Sequence, residues 1–348
     1  MLGCCFRDVE QVAHQTVEDP VISRPDQAIV KVEMAGLCGS DLHPFFGREK
    51  GLDPGTVMGH EFVGKVVEAG SNVNQVKVGD RVSCPFSTNC GECFYCETGL
   101  TSRCVQSELF GWRQNGKGLH GGQAEFALVP NANGSLVKID PEVSNSLALL
   151  LGDNLSTGFY CAEMANITPD GVYLVIGCGT VGLLTILAAQ DLGARKVFAY
   201  DLVESRLKQA EAFGAIPLSS ESQVLSETKL ATDQRGVDGV MELVGLLPAQ
   251  SLAYQAIRPG GVISTIGCHC TPNFAFSPVD AYDKNITYRT GRCPARHYME
   301  RLSQKADQFE SIAKQVITHH FSLDDCVNAY DIFSNQKNGC MKAAIQFE

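Results

Sequence analysis

The segment VYLVIGCGTVGLLTILAAQ, residues 172–190, decides the fold. Its apolar run Val172 to Ile176 leads directly into Gly177, Gly179 and Gly182, spaced G-x-G-x-x-G, and a long helix-like stretch follows. In that setting the first glycine permits a tight strand-to-helix turn and the second lets backbone approach a pyrophosphate. The third lets helix lie close on strand, and the helix N-terminal N–H groups face the phosphates. Asp201 follows Gly182 by 19 positions and ends the next apolar run, KVFAYD. A carboxylate there can accept hydrogen bonds from an adenosine ribose diol and would repel a 2′-phosphate, so NAD is expected over NADP. The alternative is a plain strand-to-helix turn followed by a solvated loop acid.

Outward from this segment, strand-like and helix-like stretches alternate: ESRLKQAEAFGA (204–215), GVDGVMELV (236–244), PAQSLAYQAI (248–257) and GGVISTIG (260–267). Such alternation implies a parallel sheet covered by helices. The upstream chain reads differently. AIVKVEMAG (28–36), FVGKVVEAG (62–70) and KVGDRVSCP (77–85) are short β-like runs broken by Gly, Pro and Asn, which predicts an irregular β domain. The tail, with ESIAKQVITHHF (310–321) and MKAAIQF (341–347), has too few strands for a third domain and is expected to return to the first. The expected division is residues 1–152 with a cysteine lobe at about 88–106, then 153–290, then 291–348.

At 348 residues, 44% hydrophobic and 19% charged, the chain can bury two cores. A net charge of −11 disfavours nucleic acid and anionic membranes as partners, because both need clustered Lys and Arg. Small-molecule partners fit better. Asp8 and Glu10 interrupt any signal-peptide pattern and no stretch approaches 18 apolar residues, so a soluble cytoplasmic protein is expected. Fifteen cysteines in a reducing compartment point to metal ligation rather than a disulfide framework.

Cys90, Cys93, Cys96 and Cys104 form C-x2-C-x2-C-x7-C. Four thiolates so spaced can close a tetrahedron around one zinc and leave no open position, which defines a structural site; a redox-active dithiol is the alternative. Arg103 is the only basic residue between 88 and 104, so a nucleic-acid role for this cluster is disfavoured. A second constellation is Cys38-Gly39-Ser40-Asp41-Leu42-His43 with Gly59-His60-Glu61. Cys, His and carboxylate are the ligands of zinc sites that keep one position for water or substrate. Taken singly, such a cysteine is more often a small core residue and such a histidine an exposed one.

CGSDLH, GHEFVGKVVEAG, VKVGDRV, the four-cysteine lobe, GGQAEF, DNLSTGF and VIGCGTVGLL occur in the order found in the zinc-containing medium-chain alcohol dehydrogenase superfamily, which the chain resembles over nearly its whole length. PFSTNCGECFYCETGLTSRC and LGDNLSTGF look closest to its formaldehyde-dehydrogenase-like branch. The resemblance implies an α/β plus β fold: a GroES-like irregular β catalytic domain and a Rossmann doubly wound parallel-sheet domain. It implies two zinc ions per subunit, one catalytic on Cys38, His60 and Asp153 and one structural on the four lobe cysteines, with NAD as cofactor. Many members carry Cys where this chain has Asp153, and a carboxylate there should leave the ion more Lewis acidic.

By the same resemblance Glu61 either binds zinc, exchanges with its water or stands behind the ligands, and Asp41 orients the ligand imidazole. Phe86 would line the substrate pocket; Trp112 is either pocket wall or core. Thr157, Gly177, Gly179, Val181, Gly182, Asp201 and Arg206 would contact the cofactor. Arg289-Thr290-Gly291-Arg292 would lie near it or meet a surface acid. The implied chemistry is hydride loss from a zinc-bound alkoxide, its proton leaving through Ser40 and His43. The substrate would be an alcohol or aldehyde, with a polyol, amino-alcohol or formaldehyde adduct as alternatives. A non-catalytic dinucleotide-binding structural protein is the alternative class. A homo-oligomer, tetramer before dimer, is expected.

Overall fold

The computed structural model describes residues 1–270 and 272–348, which divide into two compact units, Met1–Ser156 with Pro294–Glu348, and Thr157–Cys293. These breaks fall at 156/157 and 293/294, a few residues beyond 152/153 and 290/291. The shift at the first break has a local cause. Asn154 donates to Glu61 and Ser156 to the Leu151 carbonyl, so both side chains are spoken for in the first unit.

The first unit is built on a seven-stranded sheet in the order His319–Ser322, Ala343–Gln346, Ala28–Gly36, Phe62–Ala69, Arg81–Cys84 and Val137–Lys138, with Phe126–Val129 also pairing with Ala28–Gly36. The central strand, AIVKVEMAG, is buried at most of its positions, so both faces are covered and the strict alternation of a half-exposed strand is lost. Val30, Val32, Phe62, Val66 and Val82 form its core with Phe110 and Ala127. Ala344 and Ile345 pair antiparallel with Gly36 and Ala35, which draws the chain's last strand in beside residues 34–37.

The second unit holds a six-stranded sheet ordered Ile216–Leu218, Lys196–Tyr200, Val172–Ile176, Val237–Glu242, Ile257–Thr265, Thr287–Thr290, with every neighbouring pair parallel. In sequence order this is 3-2-1-4-5-6, the doubly wound Rossmann arrangement. Val172–Ile176 is buried at every position, as a central strand sandwiched by helices must be. Among the described residues, no helix is long and apolar enough to cross a membrane.

Candidate active site

The strand Ala28–Gly36 delivers the chain to Cys38, whose extended backbone starts the short helical turn Gly39–Asp41. Asp41 is the organiser. Its Oδ2 accepts the Cys38 N–H at 2.8 Å, while Oδ1 lies 3.1 Å from Nδ1 of His60. With Nδ1–H donated to Asp41, the Nε2 lone pair of His60 is turned inward, toward Asp153 Oδ2 at 3.6 Å and Ser40 Oγ at 3.2 Å. Cys38 Sγ lies 3.5 Å from the same Asp153 oxygen. Ligand atoms of Cys38, His60, Glu61 and Asp153 all fall within 4.8 Å of one another.

The electrostatics of this knot require a cation. Burial, and then Glu61 and Asp153, push the Cys38 thiol up. Burial would lower the His60 pKa, yet Asp41, Asp153 and Cys38 outweigh it and raise it well above the ordinary value. Asp153 is held far below the usual carboxylate range because His60, against the effect of burial, favours its anion. A soft thiolate, an imidazole and a carboxylate converging on one point fit a zinc ion with an open position.

Glu61 is pinned from two sides. Its Oε2 is ion-paired with Lys342, both side chains being 1% exposed, and its Oε1 accepts from Asn154 Nδ2 at 2.8 Å. The same amide nitrogen is 2.8 Å from Asp153 Oδ2, so one NH2 group bridges two carboxylates. Lys342 also donates to the Leu37 carbonyl at 3.2 Å. Space for Glu61 exists because residue 36 is glycine: a Cβ there would sit 2.0 Å from Glu61 Oε2. Neither Asn154 nor Lys342 was foreseen from sequence. The available signal was a lone charged residue, Lys342, inside the strand-like run MKAAIQF.

The four lobe cysteines also converge, with all ligand atoms within 4.8 Å. Cys104 Sγ accepts the Cys90 N–H at 3.1 Å and the Gln106 N–H at 3.4 Å, and Cys90 and Cys96 sulfurs are 4.0 Å apart. Backbone N–H groups of Val105 and Cys96 pull the Cys93 thiol down to about 6, whereas burial pushes Cys96 up to about 12. No cysteine of the chain is in a disulfide. Four sulfurs wrapped by N–H donors fit a closed tetrahedral zinc.

In the second unit Gly177 adopts φ +92°, and a Cβ on Gly182 would lie 2.0 Å from the Gly177 carbonyl oxygen, so both positions need glycine. Around a Cβ built on Gly179 nothing lies within 4 Å, which leaves backbone open to a ligand. Gly179 caps the helix Thr180–Asp191 without a side-chain bond, and Val181 lies in that helix's first turn. Asp201 is no solvated loop acid: it is 8% exposed, accepts from Cys178 N–H at 2.7 Å and Val203 N–H at 2.9 Å, and has Arg206 at 3.6 Å. Thr157 opens the unit on the helix Asn154–Met164. Open space around Gly179 at the N-terminus of the helix Thr180–Asp191 fits a dinucleotide pyrophosphate.

The remaining expectations divide. Ser40 contacts His60 as above, and His43 sits on the next turn, Leu42–Phe45, where burial and then Arg48 lower its pKa. Trp112 packs on the core formed by Cys4, Phe6, Leu37 and Tyr330, which favours the core-filling reading. Phe86 is half-buried, its carbonyl accepting from Phe110 N–H. Arg289 donates to the Met164 carbonyl at 3.2 Å and so ties off the end of a helix.

Residues 24–141 match the family described as alcohol dehydrogenase GroES-like domain, and residues 180–308 match zinc-binding dehydrogenase. The medium chain reductase/dehydrogenase ucsI of Acremonium is 42% identical over 292 residues, 81% of this chain and 98% of the relative. Zinc-type alcohol dehydrogenase B of Aspergillus flavus is 35% identical over 97% of this chain and 79% of its own length. Among solved structures, the alcohol dehydrogenase TADH from Thermus sp. ATN1 superposes with a TM-score of 0.93 at 33% identity, covering all of both chains.

Proposed function

Since the chain belongs to the zinc-containing medium-chain alcohol dehydrogenase superfamily and is a zinc-dependent oxidoreductase, we propose that it transfers a hydride between an alcohol, or the corresponding aldehyde, and NAD. The observation that carries this reading is the convergence of Cys38, His60 and Asp153 on one point. A zinc ion held by these three residues would supply Lewis acidity, drawing an alcohol hydroxyl's pKa toward neutrality. NAD would supply the hydride-accepting carbon.

The chain's own residues do the rest. Asp41 fixes the His60 tautomer so that Nε2 is available as a ligand. Lys342 and Asn154 hold Glu61 beside the ligands without leaving its charge unmatched. Ser40, through its hydroxyl, takes the substrate proton, and His43, whose pKa is lowered by burial and then by Arg48, receives it. Gly179 and the helix it caps admit the pyrophosphate, and the spare lone pairs of Asp201 accept the ribose hydroxyls, with Val181 in that helix's first turn, Arg206 beside Asp201, and Thr157 as a further contact. The four lobe cysteines hold a second, structural zinc.

We read the working form as a cytoplasmic homo-oligomer, tetramer before dimer, with small-molecule partners. A polyol, amino-alcohol or formaldehyde adduct would use the same residues. Absorbance at the reduced-nicotinamide band, followed for the zinc-loaded enzyme with a panel of alcohols and polyols and with formaldehyde plus thiols, tests the proposal. NAD reduction by at least one class, with NADP much poorer, is expected. Zinc-replete protein that binds NADH yet turns over no member of the panel would instead be a non-catalytic dinucleotide binder.

A further inference from the structure

Directly after the strand Ile257–Thr265 the chain reads Ile266-Gly267-Cys268-His269-Cys270. Its start is clamped onto the turn after Val237–Glu242: a Cβ on Gly267 would lie 2.2 Å from the Gly245 nitrogen, and one on Gly245 would lie 2.5 Å from the Cys268 carbonyl oxygen. His269 is fixed as well. Its Nε2 is 3.0 Å from Thr265 Oγ1 and its Nδ1 is 2.9 Å from Gln250 Nε2.

Counting protons settles the directions. Thr265 has one hydroxyl proton and gives it to the buried Glu242 carboxylate at 2.6 Å. Its oxygen must then accept from His269 Nε2–H, while Nδ1 accepts from the Gln250 amide. Glu242 is held in turn by the N–H groups of Val244 and Gly245. The chain Gln250, His269, Thr265, Glu242 therefore runs in one direction and locks a neutral imidazole against the sheet's C-terminal edge.

With His269 turned to Thr265 and Gln250, Cys268 and Cys270 are presented together. Both are exposed, and their sulfurs lie within 4.8 Å of each other. We propose that Cys268 and Cys270 form a vicinal dithiol site, outside the two zinc clusters, that captures trivalent, thiophilic metalloids such as arsenite and organoarsenicals. Capture is a condensation without net redox change. With phenylarsine oxide the arsenic–oxygen double bond breaks as two arsenic–sulfur bonds form, and both thiol protons leave with that oxygen as one water. With arsenite two arsenic–hydroxyl bonds break and each thiol proton leaves with one hydroxyl as water, and in both cases arsenic stays trivalent. The anchored histidine pre-pays the ordering of the loop, so the second sulfur attacks at a high effective concentration.

The zinc-loaded protein, exposed to phenylarsine oxide with excess monothiol and then digested with trypsin, provides the test. The stretch 236–284 contains no cysteine other than 268 and 270, and cleavage at Arg258 is blocked by Pro259. One arsenical on that stretch, resistant to the monothiol, released by a 1,2-dithiol and lost in both Cys268→Ser and Cys270→Ser, is the expected result. His269→Ala should slow capture while N-ethylmaleimide still labels both thiols. An unmodified stretch in protein whose two thiols react with N-ethylmaleimide, or equal capture by either single-serine variant, would overturn the proposal.

Discussion

At the scale of single residues, Lys342 is the group on which most depends outside the expected ligands. It is 1% exposed, as is Glu61, and besides Glu61 it meets the Leu37 carbonyl. Removing one partner of such a pair leaves a buried charge unmatched, at a cost of about 3–5 kcal/mol, whereas replacing both by apolar or neutral groups is often nearly neutral. Lys342→Met should therefore lower unfolding stability by about that amount in urea titrations of the metal-free protein, and Glu61→Gln with Lys342→Met should recover most of it. Equal losses in the single and double variants would show that Lys342 acts through packing alone. The ligand candidates were legible in sequence because their motifs are local: Cys38 to His43 and Gly59 to Glu61 are short runs. Lys342 was not, since it meets Glu61 across 281 residues of chain. No periodicity encodes that meeting; it follows from the last strand pairing with Ala28–Gly36.

At the scale of elements, the two-stranded ribbon Trp112–Gln114 with Lys117–Leu119 shows how a small unit can carry a pH response. Its turn is Asn115-Gly116, with φ 53° and 75°, and Asp53 accepts both turn N–H groups at 3.0 and 2.7 Å. An Asn-Gly pair is the standard signal for a tight hairpin, so this element is readable in the sequence. His120 follows the ribbon. Its Nδ1 accepts the Val57 N–H at 3.0 Å and its Nε2 lies 2.8 Å from Arg113 Nη1. Burial and then the Arg113 charge bring its pKa down to about 4. An unfolded histidine titrates near 6.5, so between about 6.5 and 4 the unfolded chain binds a proton that the folded chain refuses. The stability owed to the neutral ring is thus present above pH 6.5 and is lost as pH falls. Denaturation midpoints should drop between pH 7 and pH 5, above the range of ordinary carboxylates, and drop less in His120→Gln; identical pH slopes for the two proteins would remove His120 as the cause.

At the scale of the whole molecule, each unit closes its own core, and the question left at the surface is how the second unit's sheet ends. Thr287–Thr290 is an edge strand that pairs with Ile257–Thr265 and is largely exposed. The neighbouring helix Pro278–Asp283 buries none of its residues, and Phe274, Val279 and Tyr282 are 60%, 65% and 82% exposed. An uncovered strand edge flanked by large apolar side chains is a liability for an isolated chain and the usual mark of an interface. The family resemblance implies an oligomer joined through edge strands of the Rossmann domain but not which side chains meet there, because exposure cannot be read from residue type: Tyr282 is open while Tyr173 and Tyr330 are among the most buried side chains. If the edge is where copies meet, light scattering of the wild-type protein should give a multiple of the chain mass, and Tyr282→Asp with Val279→Asp should reduce it while leaving zinc content unchanged. A wild-type monomer at working concentration would exclude the oligomer itself. An oligomer that survives both aspartates would move the contact elsewhere on the chain and leave Phe274, Val279 and Tyr282 as exposed apolar surface with another partner.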